Sequence, residues 1–242
     1  MIKQQIFFSS EKIWFDEDKS VSWASCFFRP QNFDPSLFIN QKIYYDKYLE
    51  ISTNKRQCEF LAGRYAAKLA FSHYIDADNI LPIPIGKHGE PIWPDKYLGS
   101  ISHSNKQAIC AIAKKSKVSY LGIDIEYYFN DSRTLKIREL IMTVKEKRIL
   151  KWINFSESQS ATLIFSAKES IYKAFFLQTN GKIDLKSSIL IGIDNTNKIL
   201  FFNIKEELVK IYHIPPLIEV SYVFSSLFVR TSVIIKSLKS NN

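Results

Sequence analysis

The chain has 242 residues, of which 46% are hydrophobic and 24% charged, and its formal net charge is +9. This length accommodates one large domain or two smaller lobes, and the apolar share, with 18 Phe and 12 Tyr, excludes a largely disordered chain. The excess of Lys and Arg favours anionic partners: nucleic acid, an anionic membrane surface, or an acidic protein together with a phosphate-rich small molecule.

Cysteine usage and hydropathy indicate where the protein works. Cys26, Cys58 and Cys110 are odd in number and widely spaced, which predicts reduced, buried thiols rather than disulfides. The N-terminal segment has a three-residue apolar run, too short for the core of a signal peptide. No stretch approaches the roughly 18 apolar residues of a membrane span. The sequence therefore predicts a cytoplasmic protein without a membrane span.

The first half of the chain predicts strands around one long helix. Residues 1–50 predict irregular or strand-rich structure, with residues 23–28 as the clearest strand. Apolar residues recur at helical spacing over residues 55–74. The breakers of residues 81–94 predict a long ordered loop. Further strands are predicted at residues 99–104, 107–113 and 118–128.

The second half predicts helices followed by strands. Helical patterns cover residues 134–153 and 158–177. Short apolar runs separated by polar turns then predict strands at residues 187–193, 198–204, 217–224 and 227–235. This order predicts an α+β fold of two lobes with a boundary near residue 118.

The segment GIDIE, residues 122–126, predicts a pair of carboxylates on one face of a strand. Side chains alternate along a strand, so Asp124 and Glu126 share a face while Ile123 and Ile125 enter the core. Two adjacent carboxylates repel each other unless a cation neutralises them, and oxygen ligands suit Mg²⁺. The alternative interpretation is a solvated acidic face at a strand end.

The segment FSAKES, residues 165–170, places charge within an otherwise apolar helix. Glu169 and Lys173 are four residues apart and share a helical face. They form either a surface ion pair or, with Glu169 as a third carboxylate and Lys173 meeting phosphate oxygens, part of the metal site. We expect neither Asp124 nor Glu169 to be a core side chain.

Two upstream segments add candidate ligand-binding residues. In SISHS, residues 100–104, His103 is flanked by small hydroxylated residues that leave room for a ligand, although a lone His is more often structural. In the helix of residues 55–68, Arg56 and Arg64 lie near Gly63, and arginine binds phosphate through a bidentate fork. The alternative there is a solvated basic face. No glycine-rich phosphate loop is present, neither GxxxxGK[ST] nor GxGxxG.

In this order and spacing, GIDIE, FSAKES, FLAGR and SISHS resemble the motifs of the 4′-phosphopantetheinyl transferase superfamily, in particular its siderophore-synthase type. The resemblance covers roughly residues 55–175. It implies a monomer of two similar lobes related by pseudo-twofold symmetry, each a mostly antiparallel sheet packed with helices. Residues 1–117 would bind the coenzyme A nucleotide, and residues 118–242 would hold Mg²⁺ and the catalytic groups.

The resemblance also implies a reaction. The phosphopantetheine arm of coenzyme A would pass to a serine of an acidic apo carrier protein (acyl, peptidyl or aryl), releasing 3′,5′-adenosine bisphosphate. Asp124, Glu126 and Glu169 would coordinate Mg²⁺. Lys173 would steady the phosphate under attack, and Glu169 is the candidate proton acceptor. The net charge of +9 suits both the polyanionic coenzyme and an acidic carrier.

The remaining matched residues are expected at coenzyme A: Arg56 and Arg64 at its 3′-phosphate end, Lys87, Glu90 and Pro91 on the adenine and phosphate side, Ser102 and His103 at the nucleotide, and Lys168 beside the third carboxylate. HGEP, residues 88–91, stands where relatives often have GKP, which leaves the adenine contacts there open.

Two other functions compete with this one. Another Mg²⁺-dependent phosphoryl-transfer enzyme or nuclease would explain GIDIE and the charge but not SISHS or FLAGR. A basic nucleic-acid-binding protein would need clustered Lys and Arg interleaved with exposed aromatic residues. Here the aromatic residues lie mainly in apolar runs that are typical of a core.

Overall fold

A computed structural model describes residues 6–76 and 82–237. These residues form two compact units. The first unit runs to Ser119 and includes Lys236 and Ser237, and the second runs from Tyr120 to Ile235. The sequence pattern assigns Lys236 and Ser237 to the second lobe, whereas in the structure the Ser237 hydroxyl donates to the Lys115 carbonyl at 2.8 Å, within the first unit.

The first unit is built on a four-stranded sheet. Its strands are β1 (Phe8–Phe15), β2 (Val21–Phe28), β3 (Tyr97–Ser104) and β4 (Gln107–Lys114). They pair antiparallel in the order β1-β2-β4-β3. The inner strands β2 and β4 are buried along almost their whole length. The strand predicted at residues 23–28 is confirmed within β2.

One long helix packs on this sheet. The short helices α1 (Ser36–Asn40) and α2 (Lys47–Glu50) precede it, and α3 spans Asn54–Phe71. The Thr53 side chain caps α3 by accepting from the Arg56 amide, and Ala and Leu residues fill its buried face. The helix predicted from the periodicity of residues 55–74 is confirmed.

The second unit is built on a five-stranded sheet. Its strands are β5 (Val118–Tyr127), β6 (Ser188–Asp194), β7 (Ile199–Ile204), β8 (Leu217–Phe224) and β9 (Phe228–Lys236). Their order is β5-β9-β8-β7-β6, and β6–β7, β7–β8 and β8–β9 are antiparallel pairs. Apolar side chains at alternate positions of β8 and β9 enter the core.

Four helices complete the second unit: α4 (Asp131–Ile141), α5 (Val144–Lys151), α6 (Glu157–Phe175) and α7 (Glu206–Tyr212). The single helical pattern of residues 134–153 is wrong, because the helix is interrupted between Ile141 and Val144. A capping box starts α5: the Thr143 hydroxyl accepts from the Glu146 amide at 3.2 Å, and the Glu146 carboxylate accepts from the Thr143 amide at 2.7 Å.

The α+β class and its two sheets packed with helices are confirmed. The pseudo-twofold relation stays a prediction. All three cysteines are free and buried, as expected. The predicted loop of residues 81–94 contains neither helix nor strand from residue 82 onward, and Leu81 lies outside the described residues. None of the described helices has the length and apolar character to cross a membrane.

Candidate active site

The site of the second unit depends on an unusually close approach of β5 to α6. A Cβ atom added at Gly122 would lie 2.0 Å from the Ser170 carbonyl oxygen and 2.5 Å from the Ala174 amide nitrogen. Both atoms belong to the α6 backbone, so only glycine fits at this position of β5. Asp124, which follows Gly122 on β5, therefore lies beside Lys173 of α6.

Asp124 and Lys173 form an ion pair across this junction. The Lys173 ammonium donates to Asp124 Oδ1 at 2.6 Å. The expectation that Asp124 is not a core side chain is wrong, since it is only 3% exposed. Ile123 and Ile125 are buried as predicted. A buried carboxylate needs a cation nearby, and Lys173 supplies one.

Glu126, two residues further along β5, has its own cationic neighbour. Arg133 of α4 approaches Glu126 Oε1 at 3.4 Å, and its guanidinium stacks over the Phe129 ring at 3.9 Å. Sequence spacing alone does not predict this contact of Arg133, since the chain turns between β5 and α4. Arg133 limits the directions in which the Glu126 carboxylate can point.

Glu169 lies on α6 in the same electrostatic environment. Burial raises the pKa of its carboxyl group, and the nearby Asp124 charge raises it further, while Lys173 opposes both effects. A carboxylate of raised pKa binds a proton more readily at neutral pH. The structure thus brings Asp124, Glu169 and Lys173 into one interacting cluster.

Three carboxylates near this junction are the candidate ligands of a metal ion. Asp124, Glu126 and Glu169 offer only carboxylate oxygens, the donors that Mg²⁺ takes together with phosphate and water. Within residues 6–76 and 82–237, no group of three or more His, Cys, Asp or Glu side chains is arranged as a metal site, and Lys173 contacts Asp124. The donor type fits Mg²⁺.

Lys168 lies in the interior of the second unit. Its side chain is 1% exposed, and the ammonium contacts Glu146 Oε1 at 2.8 Å and donates to the Ile141 carbonyl at 2.9 Å. Burial lowers the pKa of Lys168, and the Glu146 carboxylate opposes that shift. The predicted contact of Lys168 with coenzyme A stays a prediction. Glu146 was missed, although the T-x-x-E spacing from Thr143 signals a capping box.

In the first unit, Arg64 is a buried cation on α3. It is 8% exposed, its Nε donates to the Ile83 carbonyl at 3.2 Å, and its guanidinium lies 4.6 Å from the Phe60 ring centre. Burial lowers the pKa of Arg64 to about 10. Burying a guanidinium is costly, and an anionic ligand that bound there would offset that cost.

The other candidate residues of this unit lie on α3 and β3. Arg56 is exposed near the start of α3, and its charge contributes to the lowered pKa of Arg64. Ser102 is buried on β3, and the neighbouring His103 ring lies 3.9 Å from Glu59 Oε1. These contacts place the β3 residues beside the first turns of α3.

The loop that precedes β3 holds the last three candidates. Lys87 is exposed, whereas the Glu90 carboxylate accepts from the His88 amide at 2.8 Å. Pro91 forms an isolated bridge with Ile85. The Glu90 carboxylate therefore stabilises its own loop, and of these three side chains the Lys87 ammonium is the one that extends into solvent.

Two family models match the chain. The 4′-phosphopantetheinyl transferase N-terminal domain matches residues 45–113, which include α3, β3 and β4. The 4′-phosphopantetheinyl transferase superfamily model matches residues 120–219, which include GIDIE, FSAKES and the cluster on β5 and α6. Each model therefore covers one set of candidate residues.

Curated relatives agree with these matches. Enterobactin synthase component D of Escherichia coli (strain K12) is 33% identical over 187 residues, which cover 73% of this chain and 87% of the relative. The protein of the same name from Salmonella typhi is 34% identical over 149 residues, covering 60% of each chain. The 4′-phosphopantetheinyl transferase Npt of Nocardia iowensis is 31% identical over 129 residues, covering 52% of this chain and 54% of the relative.

Proposed function

Because the chain belongs to the 4′-phosphopantetheinyl transferase superfamily, we infer that it transfers the 4′-phosphopantetheine moiety of coenzyme A to a serine of an apo carrier protein. The structural observation that carries this inference is the cluster of Asp124, Glu169 and Lys173, which lies within the segment matched by the superfamily model. The family disfavours both a nuclease and a nucleic-acid-binding protein.

The reaction breaks a phosphoanhydride bond of coenzyme A and forms a phosphate ester with the serine. The serine hydroxyl oxygen attacks the phosphorus attached to pantetheine, and the bond from that phosphorus to the bridging oxygen of the pyrophosphate breaks. The electron pair of that bond leaves with 3′,5′-adenosine bisphosphate. We propose that Glu169 accepts the serine proton, directly or through water. Lys173 would stabilise the negative charge that develops on phosphate oxygens.

We propose that Mg²⁺ is held by Asp124, Glu126 and Glu169. When bound, the ion would neutralise charge on the pyrophosphate and on the leaving group. Lys173 contacts Asp124 in the structure, so it would supply a positive charge beside the carboxylates that hold the ion. Arg133 would keep the Glu126 carboxylate oriented.

In the first unit, we propose that Arg64 and Arg56 bind the 3′-phosphate end of coenzyme A. The supporting observation is that the Arg64 guanidinium is buried. A dianionic phosphate would offset the free-energy cost of desolvating this charge. The other predicted contacts of the first unit with the coenzyme are part of the same proposal: Lys87, Glu90, Pro91, Ser102 and His103.

We propose an acidic carrier protein as the second substrate. Helices α4 and α5 together carry more Lys and Arg than Asp and Glu, and Glu146, one of their few acidic residues, is buried against Lys168. Exposed apolar side chains interrupt this basic surface: Leu135 is 57%, Val144 66% and Trp152 90% exposed. Such a surface suits a partner with acidic residues around an apolar centre. A monomeric state and a cytoplasmic location complete the proposal.

The test measures release of 3′,5′-adenosine bisphosphate from coenzyme A by chromatography, with Mg²⁺ and an apo carrier protein. We expect release that requires the carrier and stops when the carrier's acceptor serine is replaced by Ala. Release at the same rate with the Ser→Ala carrier would show hydrolysis rather than transfer. No release with acyl, peptidyl and aryl carriers would contradict the proposed function.

A further inference from the structure

A buried ion pair joins four elements of the second unit. Lys168 of α6 contacts Glu146 of α5 at 2.8 Å and donates to the Ile141 carbonyl at the end of α4 at 2.9 Å. Glu146 also accepts from the Leu190 amide of β6 at 3.0 Å and from the Thr143 amide at 2.7 Å. The two charged side chains are 1% and 0% exposed, so solvent does not replace these contacts.

The opposite face of α6 is held by hydroxyl groups. Thr231 of β9 lies 2.9 Å from the Ser166 hydroxyl oxygen and 2.7 Å from that of Ser170. Successive residues of an α-helix are rotated by roughly 100° around its axis, so Lys168 lies about 160–200° from these two serines, on the other side of α6. Around the helix, Glu169 lies between Ser166 and Lys168. Helix α6 is therefore fixed against rotation at two faces, and Glu169 lies between the two attachments.

We propose that Lys168 and Glu146 are positioning residues that set the rotation of α6 and so hold Glu169 in place beside Asp124 and Lys173. Without the pair, a rotation of roughly 15° would move a group about 5.5 Å from the helix axis by about 1.4 Å. A displacement near 1 Å costs about 10²-fold in rate. The consequence for catalysis rests on the proposed transferase function, whereas the effect on α6 does not.

A buried ion pair is weak evidence of a contribution to stability. Its desolvation offsets much of its attraction, and apolar residues of similar volume often stabilise a core equally well. The pair instead fixes the orientation of the Lys168 side chain relative to α4 and α5, because its ammonium has one acceptor on each of these helices. Lys168 is only 1% exposed, so direct binding of coenzyme A by its ammonium would instead require the surrounding side chains to move apart.

Four variants separate these roles: Lys168→Met, Glu146→Gln, the double variant, and the conservative Lys168→Arg, with the exposed Lys182→Met as the matched control. Below the unfolding temperature of each protein, we expect kcat at saturating coenzyme A to fall about 10²-fold in both single variants. The KM for coenzyme A should change less than about twofold, and the double variant should be no slower than the slower single variant. Lys168→Arg should recover part of the rate.

Hydrogen exchange of the α6 amides supplies a readout that needs no substrate. We expect faster exchange in α6 for Lys168→Met and Glu146→Gln, and wild-type exchange for Lys182→Met. If Lys168→Met does not fold, the same measurements on Glu146→Gln and Lys168→Arg decide whether the pair positions α6.

Two results would overturn the inference. In the first, Lys168→Met raises the KM for coenzyme A while Glu146→Gln leaves the kinetics unchanged, which would make Lys168 a ligand of the coenzyme. In the second, both variants unfold at lower temperature but keep kcat and α6 exchange, which would make the pair structural only. A wild-type protein without transferase activity would refute the proposed function, and α6 exchange would still decide whether the pair positions the helix.

Discussion

The close approach of β5 to α6 makes Gly122→Ala the sharpest perturbation of this site. A methyl group at Gly122 would lie 2.0 Å from the Ser170 carbonyl oxygen, whereas ordinary contact begins at 3.4 Å. The two backbones must therefore separate by about 1.4 Å along that line, because a carbonyl oxygen of the α6 backbone cannot rotate away like a flexible side chain.

The separation has consequences for both activity and stability. Because the Lys173–Asp124 contact of 2.6 Å spans the same junction, an opening of about 1.4 Å would lengthen it beyond hydrogen-bonding range. We expect kcat to fall about 10²-fold. Overpacking of this kind costs about 3 kcal/mol of unfolding free energy, or roughly 6–12 °C in Tm for a protein of this size.

The assay is the transfer rate at saturating substrates, with thermal unfolding of the same preparations. Gly192→Ala is the matched control, since a Cβ there would lie 3.7 Å from the nearest atom, on the Phe201 ring. We expect Gly192→Ala to keep wild-type Tm and kcat. Wild-type values for Gly122→Ala would refute the argument that this backbone contact sets the geometry of the site.

Three further substitutions address individual groups. Glu169→Gln should lower kcat by at least about 10²-fold while coenzyme A binding and Tm stay near wild type, and a wild-type rate would remove Glu169 from the chemistry. Arg64→Met should raise the KM for coenzyme A about 10-fold or more at nearly unchanged kcat, and an effect on kcat alone would exclude a phosphate anchor. Lys236 and Ser20 hold the pKa of Asp18 below its ordinary value, so this carboxylate adds stability above about pH 4 that is lost as the pH falls. Asp18→Asn should therefore be less stable than wild type in urea at pH 7, and the difference should shrink as the pH falls from about 4 toward about 2. A constant difference would contradict the argument.

Much of the fold follows from local patterns in the sequence. The periodicity of residues 55–74 predicts α3, and the alternation of residues 217–224 predicts β8, because each pattern buries one face of a regular element. The interruption between α4 and α5 was missed, although Thr143 and Glu146 form a capping box that sequence spacing can reveal. Helices α1 and α2 are too short to display a helical period.

The candidate site was predictable in its composition but not in its packing. GIDIE and FSAKES identify Asp124 and Glu169. The two groups interact, since the Asp124 charge raises the pKa of Glu169. Sequence spacing could not show that Lys168 turns inward to Glu146 or that Arg133 reaches Glu126. These contacts join residues that are distant along the chain or separated by a turn, so tertiary packing determines them.

The central claim is that transfer depends on a metal ion held by the carboxylates of β5 and α6. Intact-protein mass spectrometry of an apo carrier protein, incubated with coenzyme A and this enzyme, tests it most directly. With Mg²⁺ and the wild-type enzyme, the carrier should gain the mass of one phosphopantetheine, and EDTA or Asp124→Asn should abolish the gain. An equal gain with EDTA and with Asp124→Asn would contradict the claim that these carboxylates hold the ion that the reaction needs.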